Sequence, residues 1–293
     1  MQRFFRFSFV TLATAAVLNG CTSDPLTVVP VVPTSGVRFI NALPDSAGAY
    51  GLDFRFVDLV ENSTAFRVPF RMSPAVTGGV TGATQIQYRA AQAGTRRFAI
   101  FLDDSIAAIT STKLKDSTVT LVDGKNYTFV LWGAARAGQM RVTVIDESTI
   151  PDPGTSKVAL RVINTTSTPI EVRTFPTGGT VPAAATWANV GGLTASTFVT
   201  ADTGSISYNV RLVGGTTNLF NDMTALLGVA AFSTAGAAGK LDIEAVPGTR
   251  VAGSAVSLIV FPASTPGART PQTAAFLVPA GAFVWDRRPP RSF

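Results

Sequence analysis

The sequence predicts an all-β protein built from two tandem β-sandwich domains of the immunoglobulin-like type. Runs such as 97–102 and 127–132 alternate arginine or threonine with large apolar residues, and Gly, Pro, Asp and Asn bound them. This pattern is typical of strands with one wet face. Long helical periodicity is missing, and only the short stretch 221–227 could form a helix.

The first 20 residues have the composition of a secretory signal. Arg3 and Arg6 precede an uncharged run at 7–20, which is shorter than the roughly 20 residues of a spanning helix. The Leu-Asn-Gly-Cys at 18–21 resembles the lipobox of bacterial lipoproteins. Cys21 is the only cysteine, so it has no disulfide partner. We predict a lipoprotein signal peptide at 1–20 and lipidation of Cys21; the alternative is an ordinary signal peptide with an incidental thiol.

Residues 21–35 predict an extended tether between the membrane and the folded body. They contain three prolines, which favour an unpaired, extended chain. Thr22, rather than aspartate, follows the cysteine. This resembles the sorting pattern of Gram-negative lipoproteins and predicts location in the outer membrane.

Turn chemistry and an internal repeat organise the rest of the chain. Asp-Gly-Lys-Asn at 123–126 predicts a hairpin. The Pro/Gly-rich segment 150–156 predicts a linker between a first domain at 36–152 and a second, divergent domain at 156–288. The matching segments are 37–42 with 160–165, 94–100 with 204–210, and 144–146 with 284–286.

Two segments of the first domain carry a family resemblance. The sequence Val-Arg-Phe-Ile-Asn-Ala-Leu-Pro-Asp at 37–45 opens the domain, and Gly-Lys-Asn-Tyr-Thr-Phe at 124–129 lies late in it. Together they resemble the bacterial domain of unknown function 4397. That resemblance implies a secreted or lipid-anchored β-sandwich domain, often in tandem. The family has no agreed activity, so the resemblance does not predict a reaction.

Composition excludes several function classes. Histidine is absent, which removes Ser-His-Asp and Cys-His catalysis and the commonest transition-metal ligand. Without Arg3 and Arg6, 22 basic and 18 acidic residues give a net charge of +4, and the basic residues are scattered. Arg96-Arg97 and Arg287-Arg288 are the only adjacent pairs, and we predict that they are solvated rather than a nucleic-acid footprint.

The candidate site residues are few. Carboxylates are densest at Asp103-Asp104, Asp146-Glu147 and Asp152, and we predict that they are solvated turn residues rather than a calcium or glycosidase site. Tryptophans in alternating strands are predicted to lie in the core. Trp187, in a Gly/Pro/Ala-rich region, is the predicted ligand-binding residue.

These observations together predict a non-catalytic protein of the bacterial cell envelope with an adhesive, structural or carbohydrate-binding role. Its partners would be the membrane, through lipidated Cys21, and a cell-surface polysaccharide or protein, with no cofactor, metal or nucleic acid. Two alternatives stay open. One is a subunit of an extracellular assembly joined by edge-strand pairing, for which the uncharged stretch 177–201 is the candidate surface. The other is a hydrolase that uses carboxylates alone.

Overall fold

The computed structural model describes residues 31–45, 51–58, 67–72, 88–102, 106–234 and 241–289. The predicted signal peptide at 1–20, Cys21 and most of the tether lie outside the described residues. The chain from Pro33 onward forms one compact unit. Within the described ranges, no helix combines the length and the apolar character needed to cross a membrane.

The first half of the body is a β-sandwich of two four-stranded sheets, ordered β4-β1-β7-β8 and β3-β2-β5-β6. Its apolar core lies between the sheets and is rich in phenylalanine, with the rings of Phe39 and Phe54 4.5 Å apart. The short helix Ala107–Thr110 and the 3-10 turns Phe70–Met72 and Glu147–Thr149 are the helical elements described. The strands are β1 (Thr34–Asn41), β2 (Leu52–Phe56), β3 (Arg67–Val68), β4 (Arg89–Gln92), β5 (Gly94–Leu102), β6 (Lys113–Leu121), β7 (Asn126–Trp132) and β8 (Arg141–Asp146).

The second half is a β-sandwich with matching sheets. One sheet is ordered β11-β10-β14-β15, and the other is ordered β12-β9-β18-β19 with β13 also paired to β9. A small hairpin of β16 and β17 is additional to this arrangement. The strands are β9 (Lys157–Asn164), β10 (Ile170–Pro176), β11 (Trp187–Val190), β12 (Thr194–Ala195), β13 (Val199–Asp202), β14 (Ile206–Leu212), β15 (Asn218–Thr224), β16 (Phe232–Thr234), β17 (Leu241–Ile243), β18 (Ala255–Phe261) and β19 (Ala280–Arg287).

The internal repeat occupies equivalent strands in the two sandwiches. β1 pairs in parallel with β7, and β9 pairs in parallel with β18. The register is the same in both halves, because Arg38 lies opposite Thr128 and Arg161 lies opposite Ser257. The predicted all-β class is therefore confirmed, with two sandwiches related by matched strands.

The two sandwiches pack against each other through the sheets that contain these parallel pairs. Side chains alternate along β1, so that Val37 and Phe39 enter the sandwich's own core while Ile40 faces the other half. A third apolar cluster fills the space between the sheets, and its members come from both halves. They are Ile40, Ala42, Val130, Trp132, Ile163, Ile259, Phe261 and Val284. The central strands of the facing sheets, β1 with β7 and β9 with β18, are thus buried on both sides.

Four local predictions from the sequence were wrong. The turn at 123–126 exists, but it links strands of different sheets rather than a hairpin, because β6 pairs with β5 and β7 pairs with β1 and β8. The stretch 221–227 is mostly strand β15 rather than helix. The wet face predicted for β1 is covered by the second sandwich, so Arg38 is buried. Arg96, predicted to be solvated, is also buried, and its Nε donates to Asp58.

Candidate functional site: the interface between the sandwiches

A buried ionic cluster occupies one end of the interface between the sandwiches, and we call it the quartet: Arg38, Arg161, Glu147 and Asp286. Each sandwich supplies one arginine from its first strand and one carboxylate from the end of its last strand or just after it. All four residues are at most 5% exposed. The paired charges cancel, which is the condition under which proteins bury ionic groups.

The first arginine binds across the interface. The Nε of Arg38 donates to Thr128 Oγ1 at 2.7 Å, and its Nη2 donates to Asp286 Oδ1 at 2.5 Å. The same nitrogen lies 3.2 Å from Glu147 Oε1, to which the Thr128 hydroxyl donates at 2.6 Å. One guanidinium therefore joins carboxylates from both sandwiches.

The second arginine repeats this arrangement in reverse. The Nε of Arg161 donates to Ser257 Oγ at 2.8 Å, and its Nη1 donates to Glu147 Oε2 at 2.9 Å. Its Nη2 lies 2.9 Å from Asp286 Oδ1, and the Ser257 hydroxyl donates to Asp286 Oδ2 at 2.6 Å. Reciprocal contacts of this kind are the mark of an isologous, approximately two-fold interface.

Burial and charge act in opposite directions on the two arginines. Burial alone would lower the pKa of Arg38, but the charges of Asp286 and Glu147 outweigh it, so the pKa lies above its ordinary value. The same balance raises the pKa of Arg161. Both guanidiniums are therefore held in the charged form, and removal of either would leave two buried carboxylates beside a single guanidinium.

Aromatic rings flank the quartet on each side. The guanidinium carbon of Arg38 lies 4.6 Å from the centroid of the Tyr88 ring, and that of Arg161 lies 4.5 Å from the centroid of the Phe198 ring. Burial raises the pKa of the Tyr88 hydroxyl well above its ordinary value. Cation–π contacts in such desolvated places add to the stability of the charged form.

A second buried arginine contact joins the halves without a carboxylate. Arg71, at a positive φ of 59°, donates from Nε to Pro262 O at 3.1 Å and from Nη1 to Ala275 O at 3.0 Å. Its Nη2 also reaches the carbonyls of Phe276 and Val278. Burial lowers the pKa of Arg71 to about 10. The loop between β18 and β19 is thus fastened to the first sandwich.

The other end of the interface is open and forms a cleft. Its walls come from the carboxyl ends of β1, β7, β9 and β18 and the loops that follow them. Asp45 accepts hydrogen bonds from the backbone N–H groups of Ala135 and Arg136 at 3.1 and 2.8 Å. The carbonyl of Pro44 accepts from Thr265 N and Thr270 Oγ1 at 2.8 and 2.7 Å. Pro44-Asp45 therefore fixes the loops on both sides of the cleft.

The predicted site residues lie apart from one another. Trp187 is 7% exposed, its ring stacks on Tyr208 with centroids 6.4 Å apart, and its Nε1 donates to Thr197 O. A sugar stacks on an exposed ring face, so we place no sugar site at Trp187. Asp146 and Asp152 are exposed as predicted, and Asp103-Asp104 lies outside the described residues.

Glu147 corrects the prediction of solvated carboxylates, because it is buried in the quartet. Sequence reasoning treated Asp286 only as part of the repeat and missed its role. The available signal was the repeat itself, which places Arg38 with Arg161 and the end of β8 with the end of β19. Across the described ranges, no three Cys, Asp or Glu side chains gather in a way that could hold a metal ion.

A comparison with protein families finds a match over the first sandwich. Residues 35–174 match the model of the domain of unknown function DUF4397. The predicted resemblance is therefore confirmed, and the DUF4397 match spans the whole first sandwich and the first strands of the second. No curated protein matches the sequence. The buried Arg38 and the loop-bracing Pro44-Asp45 both lie in the motif at 37–45 that carries the resemblance.

Proposed function

We propose that this protein is a lipid-anchored component of the bacterial cell envelope, exported and held in the outer membrane by Cys21, with a non-catalytic adhesive, structural or carbohydrate-binding role. The tether at 21–35 would carry the paired sandwiches as one rigid body away from the membrane. No cofactor or nucleic acid takes part in this role.

The observation that carries the non-catalytic part is the state of the quartet carboxylates. Glu147 and Asp286 are the one carboxylate pair that the described structure brings together at an interface, and their side chains are 1% and 0% exposed. Both accept hydrogen bonds from two guanidiniums and a hydroxyl. A glycosidase needs one carboxylate to protonate a leaving group and a second to act on the sugar or on water. This pair is positioned to hold two sandwiches together instead.

Anchoring can be tested directly with Cys21→Ser. Without the thiol there is no acyl chain, and no helix in the described part of the chain could span the membrane in its place, so the variant should leave the membrane fraction. Membrane fractionation and incorporation of labelled palmitate give two separate readouts. Ser23→Ala is the matched control, because it keeps the cysteine and changes a neighbouring residue of similar size.

Retention of Cys21→Ser in the membrane at the level of the control would contradict the lipoprotein proposal. Circular dichroism of the released variant checks that the sandwiches still fold. Palmitate incorporation by the control but not by Cys21→Ser would support lipidation even if the variant is degraded after release.

A second candidate function, assembly through edge strands, is favoured by one observation. The stretch 177–201 contains β11 and β12 and reaches β13, which lie at the edges of both sheets of the second sandwich. Exposed edges can pair with a strand of another chain. Ordered multimers after gentle extraction, lost when Asn189→Pro removes a backbone donor from the β11 edge, would favour this function.

A further inference from the structure

We propose that the cleft between the sandwiches binds a small acidic saccharide, with Arg141 as the residue that anchors its acidic group. The cleft lies at the end of the interface away from the quartet. This inference names a ligand class for the carbohydrate-binding role proposed above and rests on that role.

The size and lining of the cleft suit a sugar. Its volume is about 560 Å³, within the range of about 300–1,000 Å³ that small-molecule sites occupy, and domain interfaces are a favoured place for such sites. Pro44, Met140 and Leu193 contribute apolar surface, and Gln139 and Ser167 are polar residues of the wall. The C–H face of a sugar ring can pack on the apolar side chains, while the amide of Gln139 and the hydroxyl of Ser167 can bind the hydroxyls of the sugar.

Arg141 supplies the charge of the cleft. It begins β8 opposite Trp132, and paired side chains lie on the same face of a sheet. Since Trp132 belongs to the cluster between the sandwiches, Arg141 lies on the interface side, where it lines the cleft. Its side chain is exposed and makes no hydrogen bond or ion pair with another described residue.

This freedom sets Arg141 apart from the arginines of the outer sheets. Arg97 pairs with Asp116, and Arg173 pairs with Glu171. In the second sandwich the equivalent position is Ala280, which lies opposite Phe261. The shared architecture therefore does not require a cation here, whereas a ligand with a carboxylate or phosphate would give the guanidinium a partner for paired hydrogen bonds.

The loop that carries Gln139 and leads to Arg141 is preorganised. Asp45 fixes its first turn, and Gln139 N donates to Ala134 O at 2.8 Å. Gly133 has a φ of +92°, and a Cβ there would lie 2.2 Å from Gln139 O. A loop fixed in its binding conformation loses less entropy when a ligand binds, which favours affinity.

Isothermal titration calorimetry on the purified full chain tests the proposal. The probes are glucuronate, galacturonate and glucose 6-phosphate, with glucose as the neutral counterpart and inorganic phosphate as the acid without a sugar. We expect at least one acidic sugar to bind, with glucose and inorganic phosphate much weaker. Arg141→Ala should weaken that binding at least about tenfold, because a charge-assisted hydrogen bond is lost.

Arg136→Ala is the matched control. It removes the same charge from the same loop, Arg136 does not line the cleft, and its backbone N–H still binds Asp45. The control should bind the sugar as tightly as the wild type does, and both variants should have the melting temperature of the wild type. Binding only of uronates or only of the sugar phosphate would support the proposal and identify the acidic group.

Three results would overturn the proposal. They are no binding of any acidic sugar at millimolar concentration, equal binding by wild type and Arg141→Ala, and binding of inorganic phosphate as tight as that of the sugar phosphate. These results leave the fractionation test of Cys21 unaffected, so failure of the ligand site and failure of membrane anchoring are separate outcomes.

Discussion

In the first sandwich the short turn 122–125 joins β6 to β7, whereas in the second sandwich the long segment 225–254 joins β15 to β18. Both connections nevertheless end in the same way. Gly124 N donates to Thr34 O at 2.9 Å, and Gly253 N donates to Lys157 O at 3.0 Å. The extra residues with the β16–β17 hairpin therefore lie before Gly253, and they do not change how β18 begins in the facing sheet.

Each sandwich constrains the other through its facing sheet. Two of the three matched pairs of segments lie on the facing sheets, where Arg38 and Arg161 each bind carboxylates from both sandwiches, and the third pair lies on β5 and β14 of the outer sheets. The differences in length lie in loops such as 122–125 and 225–254. Reciprocal contacts require both sets of residues at once, since loss of one member leaves a buried charge in the opposite sandwich. The loops have no such requirement. The first residue of the last strand also differs, since Arg141 of the first sandwich corresponds to Ala280 of the second.

The largest expected effect comes from removal of a quartet arginine. Arg38→Ala should lower the free energy of unfolding by about 3–5 kcal/mol, because it leaves Glu147 and Asp286 buried beside a single guanidinium. Arg161→Ala should cost a similar amount if the two halves are equivalent. Urea denaturation measures both. Arg97→Ala, which removes an exposed pair with Asp116, should cost much less, because water and salt screen exposed ion pairs.

The double variant Arg38→Ala/Arg161→Ala tests whether the two arginines act together. Because Arg38 and Arg161 share both carboxylates, the cost of removing both arginines should differ from the sum of the single costs. Additive costs, or a cost of Arg38→Ala no larger than that of Arg97→Ala, would contradict a cooperative quartet.

The sequence predicted the class of fold and the repeat because both are written in local patterns. Alternation at 37–42 and 160–165 correctly places these segments in strands that match between the sandwiches. The alternation shows only that the two faces of a strand differ. It does not show whether the arginine face meets water, as at Arg97, or another domain, as at Arg38, because that depends on packing between distant parts of the chain.

Turn residues likewise predicted local structure but not the pairing of distant strands. Asp123-Gly124 predicted the place of a turn, since aspartate and glycine favour its backbone conformation. The sheet that the next strand joins is decided by parallel pairing of β7 with β1, more than 80 residues earlier in the chain by register. The quartet was beyond reach for the same reason, because Glu147 and Asp286 meet only when both sandwiches are formed and packed.

A smaller effect is expected from cleavage of the linker. Residues 152 and 154–156 are exposed, so limited proteolysis should cut first between about 150 and 157, since exposed segments are nicked before packed strands. The fragments should stay together in native gel filtration, because the quartet and the apolar cluster still join them. Separation without denaturant would contradict a stable interface, and resistance of the linker would contradict its exposure.

The smallest expected effect is that of a chelator. A metal bound only to the native state would add stability by mass action, and its removal would lower the melting temperature. The quartet balances its carboxylates with guanidinium groups rather than with a metal ion, and apolar burial at roughly 25 cal/mol per Å² drives the packing of the sheets. EDTA should therefore leave the melting temperature unchanged in differential scanning calorimetry.

A fall of several degrees that calcium restores would contradict this prediction. It would direct the search for calcium ligands to Asp103 and Asp104, outside the described residues, and to the loop at Asp45.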